Sequence, residues 1–432
     1  MLAKIKKKSK GDLLKVLSLT ALANLIKVGI NLVTTKVVAV LIGPSGVALV
    51  GQFSNLISIL TTTSTGGISN GTVRYVSEYK ENTPVSNQYI GASFSITLFF
   101  STLSTLFLLV FSKQICMALF DDLTYISIIY ITAFTLFLYS TNTLLLSVIN
   151  GKKLYNKYIL INLLSSLVGF IFTLILVYYF KVYGSLLALA TYQSVVIIIT
   201  VQVIKKKNLF SLREIEFSFS RTRWLNLLAY SLMAIIGLIW PVINIVIRTT
   251  LISEISISSA GIWEGMSRVS GFVLAIMGTA ITTYFLPRFS EINNNFELKK
   301  ELISGLKIVL SVTFMIISCL FIFKTTVVKV LFTEAFSAME DLFLFQLIGD
   351  FFWVAKMIFV VILIAKAMTK KYIVLEAVFG ILYLGLSYLF IYSGYGLKSI
   401  PLAHLIYNLL YFVTMIIVFR ELLRPLKNDF VC

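Results

Sequence analysis

The chain has 432 residues, of which 58% are hydrophobic and 13% charged; 37 Lys and Arg face 19 Asp and Glu, a net charge of +18. A soluble domain carries about twice that share of charge, and six prolines without a polar low-complexity tract argue against disorder. Mean hydropathy is +0.93, and the apolar residues fall in runs of roughly 20 to 28, the length that crosses hydrocarbon as a helix. Lipid forbids unpaired backbone, so the chain reads as an all-α membrane protein.

The opening "MLAKIKKKSKGDLLK" has the basic character of a signal peptide. The apolar stretch after it is too long, and no small-residue cleavage site follows, so it reads as a retained first span. Apolar segments then follow at 14–42, 46–66, 89–112, 124–150, 158–180, 184–204, 225–248, 259–286, 302–323, 341–365, 372–393 and 397–419. The fourth carries Tyr139, Ser140, Thr141 and Asn142 in its middle. Twelve spans put both termini on one side of the membrane. The N-terminus, the even-numbered gaps and the C-terminus hold 26 of the 37 basic residues, and the odd-numbered gaps hold 5. Positive charge stays inside, so both termini are expected in the cytoplasm. Attraction to anionic lipid heads accounts for this basicity, and nothing in it calls for nucleic acid.

The chain also repeats. "KYI" at 157–159 opens a span that ends before "YG" at 183–184, and "KYI" at 371–373 opens one that ends before "YG" at 395–396. "RYVSE" at 74–78 is answered by "RFSE" at 288–291, and "INLV" at 30–33 by "INIV" at 243–246. Four matches in order at nearly one offset predict two six-helix lobes, 1–204 and 225–432, joined by a basic cytoplasmic linker at 205–224. Parallel repeats of this kind place the substrate site between the halves.

Polar residues within the spans fall on single helical faces. Asn24, Lys27, Asn31 and Thr34 share one, as do Gln52, Asn55, Thr62 and Gly66. Gly237, Pro241, Asn244 and Arg248 line up, as do Glu264, Arg268, Gly271, Gly278 and Thr282. Gln346 pairs with Asp350, and Glu376 aligns with Gly380 and Tyr383. Charge facing lipid costs about 2.5–3.5 kcal/mol at the span centre, so the stripes predict protein contacts or a wet cavity. Glu264 and Arg268 are four apart and can pair; the alternative is that both snorkel to the interface. Glu376, near a cytoplasmic helix end, has the same two readings. Lys307 and Lys356 read as snorkelling or structural, and His404 as a hydrogen-bonded packing residue. Six basic groups at or within the spans (Lys27, Lys36, Arg248, Arg268, Lys307 and Lys356) outnumber three acids, Glu264, Asp350 and Glu376. That excess suits an anionic substrate, with Arg gripping phosphate bidentately and Lys as a point charge.

No P-loop is present and no loop is large enough for a catalytic domain, so the chain reads as a transporter and not an enzyme. The three cysteines, Cys116, Cys319 and Cys432, match neither a disulfide framework nor a metal site. No cofactor is expected.

The segments "GPSGVALVGQF" (43–53), "GISNGTVRYVSEY" (67–79), "AGIWEG" (260–265), "YFLPRFSE" (284–291), "AMEDLFLFQLIGD" (338–350) and "IAKAMTKKYIVLEA" (364–377) carry a family resemblance. The sequence resembles, essentially end to end, Wzx-type flippases of lipid-linked oligosaccharides within the multidrug/oligosaccharidyl-lipid/polysaccharide exporter superfamily. It is most similar to the branch that moves O-antigen or enterobacterial common antigen units. The resemblance implies twelve helices in two lobes in the bacterial inner membrane. It also implies a glycan on undecaprenyl pyrophosphate, flipped to the periplasmic leaflet by alternating access. The expected partners are membrane lipids, a glycan polymerase and a chain-length regulator, and the expected state is a monomer. On this reading Lys27, Lys36, Arg248 and Arg268 meet the pyrophosphate. Asn24, Asn31, Gln52, Asn55 and Asn244 meet the sugar. Asp350, Glu376 and Glu264 are candidates for ion coupling. A drug/cation antiporter of the same superfamily is the chief alternative, although it should prefer an acidic cavity. A membrane glycan polymerase or glycosyltransferase is the further one.

Overall fold

The computed structural model describes residues 2–206, 220–292 and 294–420; of the side chains at 2–22, 24, 25 and 233 nothing is said. Most of the expected linker, the first basic stretch and the C-terminal tail lie outside the described side chains. Every regular element among the described residues is helical. This follows from long apolar runs that can pair their backbone only with themselves in lipid.

Among the described residues ten helices are long and apolar enough to cross a membrane. Two of them are interrupted, which yields twelve spans. Helix α1 (Leu2–Ser64) breaks at Gly43, whose φ of 65° and ψ of −174° no helix contains. Pro44 follows, and its fixed φ and missing N–H suit the first turn of the next arm. Helix α6 (Tyr155–Lys206) breaks at Lys181, φ 51°. The chain is a multi-pass membrane protein of twelve transmembrane segments.

Backbone clustering divides it into two compact units, Met1–Ile245 and Val246–Cys432. The first contains α1, α2 (Ser69–Glu78), α3 (Thr83–Val110), α4 (Ser112–Phe120), α5 (Ile126–Gly151), α6, α7 (Arg221–Leu228) and α8 (Ser231–Gly237). Helix α9 (Ile239–Glu254) carries the chain onward. The second contains α10 (Ile257–Glu291), α11 (Asn295–Ile322), α12 (Lys324–Leu331), α13 (Phe343–Ala365), α14 (Thr369–Tyr392) and α15 (Ser399–Val418).

The repeat seen in the sequence extends to the backbone. Helices α3 and α11 are both 28 residues long and start 212 positions apart. Asn82 caps the first by accepting from the Val85 N–H, and Asn294 caps the second by accepting from the Phe296 N–H, the usual task of Asn at a helix start. Short helices α4 and α12 follow at the same offset. Left-handed residues recur as well: Lys153 matches Ala367, and Lys181 matches Gly394. Between α4 and α5 of the first copy, Asp122 accepts from the N–H and the hydroxyl of Thr124. These bonds hold its carboxyl below the usual carboxylate range.

The surface is apolar where lipid would touch it. Phe99, Leu103, Leu106 and Val110 recur every three or four residues along α3, each more than half exposed. Ile308, Met315 and Ile322 do the same at seven-residue spacing along α11. Inside the first unit, Leu145, Ile149, Ile161, Val196 and Ile204 join α5 to both arms of α6. Ile68, Ala92, Ile96 and Leu227 bind α7 to α3. The sequence reads 225–248 as one span kinked at Gly237–Pro241. The structure interrupts it twice, at Ala229–Tyr230 and at Leu238. The second break is where Pro241 denies the preceding turn an N–H donor.

The reversal inside α6 is tight. A Cβ at Gly184 would sit 1.8 Å from the Leu176 carbonyl oxygen, so only glycine lets the two arms meet there. Gly184→Ala is expected to destabilise the protein by about 1–3 kcal/mol, read as a lower thermal midpoint in detergent. Lys181→Gly removes a left-handed side chain worth about 1–2 kcal/mol and should leave the midpoint unchanged or raised.

Candidate functional site

Two polar interiors stand out, one in each unit, and they differ in chemistry. The second unit's interior is charged. Arg248 on α9 is 2% exposed; its guanidinium donates to Glu264 Oε2 and lies 5.2 Å from the centre of the Trp263 ring. Arg268 Nε donates to Glu264 Oε1 at 3.1 Å. One carboxylate therefore accepts from two arginines, one beside it on α10 and one from the neighbouring helix. The i,i+4 pair expected from the sequence is present, and neither member snorkels alone. Arg248 was expected to meet pyrophosphate. The structure pairs it with Glu264, as a cation this deeply buried needs its counter-charge at contact.

Deeper in the unit, Asp350 on α13 has no exposed surface. Its Oδ1 accepts from the Ser270 hydroxyl at 2.7 Å, from Gln346 Nε2 at 3.2 Å and from His404 Nε2 at 3.0 Å. Oδ2 is buried with no hydrogen-bond partner among the described residues. Asn408, one turn beyond His404, donates to the His404 carbonyl at 2.9 Å. His404 reaches Asp350 because residue 349 is glycine: a Cβ there would lie 2.4 Å from His404 Cδ2. The ring packs near Tyr383 and Tyr407. His404 is thus the hydrogen-bonded packing residue that the sequence suggested, with Asp350 as its partner.

Two turns along α13, Lys356 is 3% exposed. Its ammonium lies 4.6 Å from the Tyr407 ring centre and 4.3 Å from that of Tyr411, a cation–π box. Tyr411 donates to Glu376 Oε1 at 3.1 Å and stacks on Phe379 at 4.2 Å. Lys356 makes a structural contact, and Glu376 is buried against Tyr411 instead of reaching an interface. Lys307 is exposed on α11.

The first unit's interior is lined mostly by uncharged polar groups, with Lys27 as its cation. A cavity of about 210 Å³ lies between α1 and α6. Lys27, Ile30, Asn31 and Thr34 line it from α1, and Asn162, Ser166, Gly169 and Thr173 from the first arm of α6. Tyr192 and Gln193 come from the second arm. Gln193 is held from behind: its Oε1 accepts from Asn142 Nδ2 at 2.8 Å, and Asn142 Oδ1 accepts from the Thr200 hydroxyl at 2.7 Å. Asn142 has no exposed surface; from the polar middle of the fourth span it supplies this ladder, while Ser140 donates to Ser64 Oγ at 2.6 Å.

The structure brings Lys27 and Asn31 together at this cavity. Gln52, expected at the sugar, has no exposed surface, and its amide donates to the Ile245 carbonyl at 3.3 Å. The reason is that α1 turns that face toward the unit's own core. Lys36, Asn55 and Asn244 are half-buried, and the Asn24 side chain lies outside the described residues. The α6 wall was missed in the sequence, although Asn162, Ser166, Gly169 and Thr173 follow spacings of 4, 3 and 4. Among the described residues no group of three His, Cys, Asp or Glu side chains could hold a metal ion.

The family model described as "Polysaccharide biosynthesis protein" matches residues 13–293, nearly two thirds of the chain. The chain belongs to the polysaccharide biosynthesis protein family. Within reach of that family, it is 30% identical over 368 residues to proteins named lipid III flippase from Escherichia coli (strain K12) and from Shigella flexneri, covering 83% of this chain and 86% of each relative. Its fold is similar to that of a multidrug resistance MATE family transporter of the MOP superfamily in an inward-facing conformation. The TM-score is 0.76 at 14% identity, over 94% of this chain and 96% of that one. It is equally similar to the lipid II flippase MurJ in an inward closed conformation, TM-score 0.76 at 14% identity, over 93% and 87% of the two chains. The family member described here therefore has the fold of that superfamily.

Among the described residues His404 is the donor to Asp350 from α15, and His404→Ala, which leaves a buried acceptor short of a donor, is expected to cost about 1–3 kcal/mol. The thermal midpoint should fall by several degrees. On an Asp350→Asn background the same change should cost less, with a coupling of about 0.5–3 kcal/mol in a double-mutant cycle.

Proposed function

We propose that this protein flips a glycan linked to undecaprenyl pyrophosphate from the cytoplasmic to the periplasmic leaflet of the bacterial inner membrane by alternating access. The glycan is an O-antigen or common-antigen repeat unit. The observation that carries the reading is the cavity of the first unit. It combines one lysine, no carboxylate and a run of hydroxyl and amide groups inside a membrane helix bundle. Its chemistry fits an anionic head with sugars attached. Family membership supports it, as do the relatives named for flipping lipid III and the fold shared with a protein named for flipping lipid II.

On this reading Lys27 offsets pyrophosphate charge and Asn31 hydrogen-bonds sugar. Lys36 and Arg268 stand as further cations for the phosphate. Arg248 acts indirectly, by holding Glu264 and through it Arg268. Asn55 and Asn244 keep their proposed place at the sugar. Both termini and the segment 205–224 lie in the cytoplasm, and the two six-helix halves, 1–204 and 225–432, are the lobes that rock. An anion leaving a negative cytosol gains about 2.3 kcal/mol per charge per 100 mV, which drives export without a cofactor. Asp350 and Glu376, buried acids on α13 and α14, are the proposed sites of any ion coupling. The protein works as a monomer beside the polymerase and chain-length regulator that take its product.

The drug/cation antiporter reading lacks support from the cavity, which offers no acid to an organic cation. Lys27→Ala at normal protein level should reduce surface glycan at least tenfold, with lipid-linked sugar accumulating in the inner leaflet. Drug susceptibility should not change. Normal surface glycan in that variant, or a loss of drug tolerance, contradicts the proposal.

A further inference from the structure

The wall contributed by α6 has a hydrogen-bonding sense that the α1 stripe does not reveal. The Ser166 hydroxyl donates to the Asn162 carbonyl at 3.0 Å, and the Thr173 hydroxyl to the Gly169 carbonyl at 2.7 Å. Across the cavity, Thr34 donates to the Ile30 carbonyl at 2.8 Å. A hydroxyl has one hydrogen and two lone pairs. With each hydrogen spent on its own helix, these three groups offer acceptors only. No Asp or Glu lines the space, and Lys27 is the one cation among the lining residues.

A phosphate brings acceptors and negative charge, so the face made by Thr34, Ser166 and Thr173 disfavours it, while Lys27 and the amides of Asn31, Asn162 and Gln193 supply the donors of the cavity. A sugar brings hydroxyls that donate, and the same wall satisfies them. At about 210 Å³ the space is smaller than the ~300–1,000 Å³ of drug-sized sites. It suits one sugar ring and not an extended chain. Gly169 keeps that space shaped: a Cβ there would come within 3.1 Å of the Tyr192 ring, which forms the opposite side with Gln193.

We propose that Ser166, Thr173 and Thr34 form an acceptor-only seat for a single sugar ring, the one next to the diphosphate that Lys27 holds. This deepens the flippase reading and rests on it. It separates two tasks that the sequence stripe lumps together: Lys27 binds the diphosphate, and the α6 wall tells a glycosylated carrier from a bare one.

The test uses the full-length protein in detergent with two probes, undecaprenyl diphosphate and undecaprenyl diphosphate bearing one N-acetylglucosamine. Binding is read by native mass spectrometry. Wild type should prefer the sugar-bearing lipid. Ser166→Ala with Thr173→Val removes two acceptors worth about 0.5–1.5 kcal/mol each, so the affinity ratio between the probes should fall about tenfold. Thr173→Ser alone, which keeps both hydroxyls, should leave most of that ratio intact. Lys27→Ala should weaken both probes together. An unchanged ratio in a double variant with wild-type thermal midpoint overturns the seat while leaving the flippase reading intact. Binding of neither probe by wild type overturns the flippase reading, and the seat with it.

Discussion

A charge carried into hydrocarbon must bring its counter-charge, and the second unit is organised by that requirement. Glu264 is the pivot: it neutralises Arg268 along its own helix and Arg248 from the helix before. Removing it would take a counter-charge from two arginines at once. Asp350 is met by hydrogen bonds from Ser270, Gln346 and His404, which gather α10, α13 and α15 around a single oxygen. Lys356 lies against the faces of Tyr407 and Tyr411. In each case the polar group selects which helices must touch, because lipid offers no alternative partner. Apolar packing alone, equally content against lipid tails, specifies neighbours less sharply.

The two units are built on one backbone template, yet their interiors have diverged. The matched caps at Asn82 and Asn294, the equal lengths of α3 and α11, and the paired left-handed positions at 153 and 367 preserve the architecture. Inside it, the first unit holds Asn142, Gln193, Thr200 and the serines and threonines of α6, with Lys27 the one cation among the residues that line its cavity. The second holds Arg248, Glu264, Asp350, His404, Lys356 and Glu376. The same helical frame thus holds different electrostatics in the two units.

Much of this was legible in the residues. Span count follows from run length, because a helix that crosses a bilayer needs about 20 apolar residues. The Glu264–Arg268 pair follows from spacing on one helix. The partner of Glu264 across helices, Arg248, was not legible, since periodicity describes a face but not what meets it. Gln52 shows the same limit: its stripe was visible, but the side it faces was not. The α6 wall escaped because single Ser, Thr and Asn residues in an apolar run look like tolerated substitutions. Only the fold at Lys181, which sets the two arms of α6 side by side, turns them into one surface.

The hydroxyls of that surface have a further property. Because Thr34, Ser166 and Thr173 each rest on a carbonyl one turn back, none is left stranded when nothing is bound. An empty seat therefore carries little penalty, and departure of a guest exposes no orphan hydrogen. A protein whose task is to let go as readily as it grips benefits from walls that are content in either condition.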